Sequence, residues 1–264
     1  MRITIQNVID RLRSSVHPIE NTVDGLEPGN PGTDVLGIAT THMATQQVIE
    51  QALSLGVNLL ISHEGAYYSH RMSNGLLNED PIFQNKEKLL QQSGLAIYRH
   101  HDYCHRMEPD SIMAGLLHNL KWETCVEEML PAAAVLRIPQ MRAIEIAEYA
   151  KTQLSIPYVR IAGDPHMTCS RIGILVGYRG GGVNAIPLFR EKKLDLIIAG
   201  EGPEWETPEY VRDSTYQGLP KSLLVLGHAE SEEPGMRYLA ERLQESYPGL
   251  PVHFIPVHPV FQVV

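Results

Sequence analysis

Three apolar runs in this chain of 264 residues end in histidines with carboxylates or further histidines close by. "LLISHEG" ends in His63 and Glu64. "AIYRHHDYCH" carries His100, His101 and His105. "LLVLGHAESE" carries His228, Glu230 and Glu232. Imidazole nitrogen and carboxylate oxygen together suit divalent Zn, Fe, Mn, Co or Ni, with no cysteine required. Two ions need about six protein ligands, and roughly that many stand at these strand ends. A pair of divalent ions makes water a nucleophile near neutral pH, and its positive charge favours an anionic substrate. One histidine at a strand end is ordinarily structural; three clusters at equivalent positions point to metal. His100 and His101 are neighbours on an extended segment and face opposite ways, so at most one of them joins the set. His17, His42, His118, His253 and His258 have no evident partners and read as satisfied or surface histidines. His70 and His166 follow loops near strand ends and are intermediate.

These side chains need elements that deliver them to one place. The apolar spacing of Ile5, Val8, Ile9 and Leu12 predicts a helix after Thr4. "ATQQVIEQALSLG" and "NKEKLLQQSG" read as helices stopped at Gly56 and Gly94, each followed by an apolar strand, "VNLLIS" and "LAIYRH". "EMLPAAAVLRIPQ" reads as a transition, followed by the amphipathic helix "MRAIEIAEYAKTQLS" and the strands "YVRIAG", "RIGILVG" and "LDLIIAGE". The strand "KSLLVLGH", the helix "PGMRYLAERLQESY" and the strand "VHFIPV" close the chain. Strands alternating with helices imply an α/β fold with a mostly parallel sheet. Ligands of such sheets bind beyond the carboxyl ends of the strands. If the three histidine-bearing strands are neighbours, their side chains converge at one edge.

Composition narrows the class. A net charge of -9 argues against a nucleic-acid binder, which would show a basic stripe. Three cysteines without paired spacing fit a reducing compartment. The start lacks the apolar core of a signal peptide and no run is long enough to span a membrane, so a cytoplasmic protein is expected. "GYRGGGVNAI" could cradle a phosphate with successive N–H groups, or serve as a flexible turn from strand to helix. It lacks the Lys-Ser/Thr of a P-loop.

Taken together, "DGL" at Asp24–Leu26, "LLISHEG", "AIYRHHDYCH", "IIAGE" and "GHAESEEPGMRYLAERL" resemble the Nif-three-like (NGG-one-interacting-factor-three-like) dinuclear metal-centre proteins. Some members carry the name GTP cyclohydrolase I type 2. The resemblance spans nearly the whole chain. It implies two α/β domains: a discontinuous metal-binding domain of residues 1–127 plus 221–264, and an inserted domain of residues 128–220. It implies two metal ions held by His63 and Glu64, His101 and His105, and His228 and Glu232. Glu64 stands where the family commonly has histidine, and His105 where it commonly has aspartate, so the exchange preserves ligand count and charge. Glu201 falls at the family's strand-end glutamate position, which implies a general base or an orienting residue. The resemblance further implies a ring-shaped homohexamer. The expected activity is metal-dependent hydrolysis of a small anionic or nucleotide molecule, with Glu201 or a nearby histidine moving protons. The competing expectation is a non-enzymatic metal-binding ring that regulates or binds other proteins.

Overall fold

The computed structural model describes residues 2–71 and 77–264, which divide into two compact units. One unit joins Met1–Ser111 to Met236–Val264, and the other is Ile112–Gly235. The chain opens with α1 (Ile5–Arg13), β1 (Gly25–Leu26), β2 (Ile38–Met43) and α2 (Gln46–Ser54). β3 (Leu59–Glu64), α3 (Pro81–Ser93), β4 (Ala96–Arg99) and α4 (Asp102–Arg106) follow. Next come α5 (Ser111–Leu120), β5 (Val126–Met129), β6 (Ala134–Arg142), α6 (Ala143–Leu154), β7 (Arg160–Gly163) and β8 (Thr168–Leu175). α7 (Gly182–Glu191), β9 (Leu196–Ala199), α8 (Thr207–Tyr216), β10 (Ser222–Val225), α9 (His228–Ser246) and β11 (Val252–Phe254) complete the chain.

Local signals explain many of these boundaries. Thr4 caps α1 through its hydroxyl, which accepts the Asn7 amide, and Ile5, Val8, Ile9 and Leu12 are the buried face. Gly94 ends α3 in a left-handed conformation (φ 69°), where a Cβ would be strained. Asp80 opens that helix by accepting the amides of Ile82 and Phe83.

The first unit holds a five-stranded sheet in the order β1-β4-β3-β2-β11, parallel except for β1 against β4. Its central strands β2, β3 and β4 are largely buried, and Ala39, Ile49, Leu60, Leu90 and Ile97 share one core cluster. The second unit holds a six-stranded mixed sheet, β5-β6-β8-β9-β10-β7, whose central pairings β8-β9 and β9-β10 are parallel. Val135, Leu175, Phe189, Leu194, Ile197 and Val211 pack together in its core.

Three sequence expectations change. "EMLPAAAVLRIPQ" is not a mere transition: β5 and β6 within and around it pair antiparallel. The last helix begins at His228 rather than near Pro234, and the proline sits inside it at the cost of one helical hydrogen bond. β10 lies between β9 and β7 in the six-stranded sheet, so the strand leading to His228 is not a neighbour of β3 and β4. Strand order is decided by long-range pairing, on which the local alternation of strands and helices is silent. Among the described residues no helix is long and apolar enough to cross a membrane.

Candidate metal centre

In the first unit, β3 and β4 run parallel and end side by side, with Ser62 opposite Arg99. His63 therefore leaves β3 where the chain after β4 carries His101 and His105. His63 is fully buried. His101 is the N-cap position of α4, and one helical turn later His105 lies on the same face. The His63 and His101 rings stack with centroids 4.7 Å apart, and His105 stands edge-on to both at 5.0 Å. One nitrogen from each of the three falls within 4.8 Å of the others.

Each ring is held through Nδ1 by an oxygen acceptor. His63 Nδ1 lies 3.2 Å from the His100 carbonyl, His101 Nδ1 3.0 Å from Asp102 Oδ1, and His105 Nδ1 2.9 Å from Asp110 Oδ2. A carbonyl only accepts, so the proton of His63 is assigned to Nδ1; ionised carboxylates assign the other two the same way. In the neutral form of each ring Nε2 is then the lone-pair nitrogen. Acceptors on Nδ1 and lone pairs on Nε2 are the arrangement of metal-binding imidazoles. Burial and the proximity of His63 and His105 push the His101 pKa down to about 4, although Asp102 and Glu64 oppose the shift. His101 is thus neutral at physiological pH.

Glu64 supplies the carboxylate beside this trio. Its Oε1 is 3.5 Å from His101 Nε2. A neutral imidazole lone pair facing a carboxylate oxygen brings two electron-rich atoms together, an arrangement a cation would relieve. Burial raises the Glu64 pKa, but His101, Arg99, His63 and His70 outweigh it and hold the carboxyl below its ordinary value. Arg99 reaches Glu64 Oε2 at 2.6 Å and also donates to the His70 carbonyl at 2.8 Å. Glu64, His70 and His101 form a second set with ligand atoms within 4.8 Å of one another.

The second unit carries a different arrangement. His228 opens α9, and Glu232 lies one turn on: its Oε2 is 3.1 Å from His228 Nε2. Glu201, just after β9, places Oε1 3.1 Å from His228 Nδ1. This histidine is clamped between two carboxylates. Burial lowers its pKa, but the hydrogen bonds and charges of Glu232 and Glu201 outweigh it and raise it to about 9. Glu232 is buried; Glu230 folds back against Gly227 instead.

The glycine run before α7 positions Glu201. The Gly180 amide donates to the Glu201 carbonyl at 3.0 Å, and the Glu201 amide to the Gly177 carbonyl at 2.9 Å. A Cβ on Gly180 would stand 2.7 Å from the Glu201 carbonyl oxygen, and one on Gly202 2.6 Å from the Gly180 carbonyl carbon. Close approach of two backbones therefore requires these glycines. The amide of Gly182, at the start of α7, is taken by Glu206 Oε2 at 2.6 Å. An internal carboxylate occupies the place where a phosphate cradle was one of the two sequence readings.

The structure places His63, Glu64, His101 and His105 together in the first unit, and His228, Glu232 and Glu201 together in the second. His100 faces Asp24 instead, with Nδ1 3.6 Å from Oδ2. Sequence reasoning set His42 aside, yet it is buried after the β2 threonines with its ring 6.0 Å from that of His63. Its position near the end of "GIATTH" was the same strand-end signal that marked the others. His70 was marked only as intermediate and Asp24 only as part of the "DGL" motif, and neither Asp102 nor Asp110 was read as orienting a histidine.

The chain is 25% identical over 192 residues to a protein of Lactococcus lactis subsp. lactis named GTP cyclohydrolase 1 type 2 homolog, covering 69% of this chain and 70% of that one. It is 23% identical over 233 residues to a Clostridium perfringens protein of the same name, covering 84% and 82%. The fold matches that of a Bacillus cereus protein related to NIF3 with a TM-score of 0.79, at 13% identity over 100% of this chain and 99% of that one. It also matches a Staphylococcus aureus protein with a TM-score of 0.73, at 17% identity over 99% of each. The model of the Duf34/NIF3 (NGG1p interacting factor 3) family matches residues 4–260, and with strand-end histidines and carboxylates arranged as described, the chain belongs to that family.

Proposed function

We propose that this protein binds two divalent transition-metal ions and is a metal-dependent hydrolase of a small anionic or nucleotide substrate. The observation that carries the metal reading is the neutral Nε2 of His101 facing Glu64 Oε1 at 3.5 Å, beside His63 and His105 in the same tautomer. His63, Glu64, His101 and His105 are the ligands proposed in the first unit, and His228 and Glu232 those in the second. The native ion is one of Zn, Fe, Mn, Co or Ni, since the donors are nitrogen and oxygen only. When bound, such ions supply Lewis acidity and lower the pKa of water.

The chain's own residues do the rest. Asp102 and Asp110 hold His101 and His105 in one orientation. Glu201, whose Oε1 is 3.1 Å from His228 Nδ1, is the residue we assign as the proton-moving base or as the group that orients His228. The hydrolase part rests on the family and on relatives named for GTP cyclohydrolase. Metal-loaded protein incubated with a panel of nucleotides tests it. Product release is expected, and Glu201→Gln should abolish it with metal content unchanged. No turnover on any nucleotide would sink the cyclohydrolase-like reading.

A second reading is a non-enzymatic ring that binds other proteins. It is favoured by large apolar side chains at the surface of the second unit, Trp205 at 76% and Tyr216 at 92% exposure. Homohexamer assembly belongs to both readings. Light scattering on the purified protein tests it, and a monomer at micromolar concentration would refute it.

A further inference from the structure

The segment Thr22–Asp24 shares no helix or strand with the histidines, yet its side chains and theirs interlock. Asp24 is buried, and its carboxylate accepts three successive amides at the start of α4. Oδ1 takes His101 N–H at 2.9 Å and Asp102 N–H at 2.7 Å; Oδ2 takes Tyr103 N–H at 3.2 Å. His101 makes no capping bond with its own side chain. The cap of α4 therefore comes from 77 residues away. The return contact is just as specific. Asp102 Oδ2 accepts the Thr22 hydroxyl at 2.9 Å and the Val23 amide at 3.0 Å, while Oδ1 holds His101 Nδ1 at 3.0 Å. Two carboxylates thus clasp this segment to the start of α4: Asp24 accepts three backbone amides, and Asp102 accepts one amide and one hydroxyl in return.

A helix of five residues does not hold its own register in water. Its first amides need acceptors, and the chain order of His101 and His105 is useful only if α4 starts at one defined residue. Asp24 defines that start. Asp102, locked by Thr22 and Val23, then fixes the ring of His101. We infer that Asp24, with Thr22, is a positioning element of the metal centre: it sets where α4 begins and so aims His101 and His105 together. Asp24 acts on that pair through the backbone amides it accepts at the start of α4.

This inference rests on the proposed metal binding by His101 and His105, and the test separates the two. Co2+ is titrated into metal-depleted wild type, Asp24→Asn, His101→Ala and Ile49→Val, following visible absorption and melting temperature. Ile49→Val loosens the core of the same unit away from the clasp. Asp24→Asn keeps the shape but replaces one acceptor oxygen with a donor facing an N–H. At least tenfold weaker Co2+ binding and an altered visible spectrum are expected for it, by the measured effect of orienting partners. Ile49→Val should lower the melting temperature and leave spectrum and affinity as in wild type. Wild-type affinity and spectrum in Asp24→Asn would overturn the inference while leaving the metal reading intact. Wild type and His101→Ala binding Co2+ equally would overturn the metal reading and this inference with it. If Asp24→Asn does not fold, Thr22→Val carries the test: it removes the hydroxyl that donates to Asp102 and accepts the Asp24 amide, and leaves the Asp24 carboxylate in place. About threefold weaker binding with a shifted spectrum supports the clasp, and no change in either overturns it.

Discussion

The two histidine sets use the same side chains to opposite electrostatic effect. In the first unit His101 stands among His63 and His105, and burial with neighbouring imidazoles pushes its pKa down to about 4. In the second His228 stands between Glu232 and Glu201, which outweigh burial and raise its pKa to about 9. In the metal-free chain His101 therefore offers a lone pair, whereas His228 carries a proton between two carboxylates that a metal ion would have to displace. A histidine is not made ready for metal by its identity. Its neighbours decide whether the space beside it is held by a lone pair or by a proton.

The largest test of this contrast is removal of its centres. His101→Ala and His228→Ala, alone and together, are compared by elemental analysis after metal loading. Each single variant should lose at least one equivalent of metal and the double variant essentially all. Full metal content in the double variant would break the proposal for both sets.

Next is the titration of the metal-free chain. NMR should find His101 neutral down to about pH 4 and His228 protonated up to about pH 9. Glu232→Gln should bring His228 down by more than one unit and leave His101 unmoved. Equal titration of both rings near 6.5 would erase the distinction.

Stability should follow the same sign. The raised pKa of His228 contributes stability that is complete below its unfolded value of about 6.5 and lost as pH rises toward 9. The lowered pKa of His101 works the other way: the unfolded chain binds the extra proton first, so stability is lost as pH falls from about 6.5 to 4. The stability of metal-free protein to urea should therefore peak near pH 6.5, where both losses begin. Each limb is worth on the order of 1–3 kcal/mol after solvent screening. A limb that survives its own His→Gln variant is not due to that residue.

The smallest expected effect is at Gly177, whose φ is 59° and whose Cβ would fall on the Glu232 carboxylate. Gly177→Ala should cost about 1–3 kcal/mol and lower the pKa of His228 by displacing Glu232, with no change at His101. An unshifted His228 would show that Glu232 is not its main partner.

Much of this was legible in the residues. The α/β class followed from strands alternating with helices, and α1 from four apolar positions and a threonine cap. His63, His105 and His228 were visible because three strand-end clusters at equivalent positions point to metal, while the choice of His101 over His100 came from the family pattern. The Glu232 pairing was visible only through the family pattern, since Pro234 hid the start of α9. The hairpin of β5 and β6 was missed because Pro and Ala dominate its turn. His42 was missed because one strand-end histidine alone has an ordinary explanation.

The sequence by itself determined the α/β class, most of the helices and strands and the chemical class of the donors, because those depend on side-chain type and on spacings of two to four residues. Tertiary structure alone decided which strands are neighbours, which nitrogen of each ring carries the proton and which imidazole sits among carboxylates. It also decided that a carboxylate at Asp24 starts a helix 77 residues away. Those outcomes depend on distances of a few ångströms between residues far apart in the chain, where charge and desolvation act and local pattern does not reach.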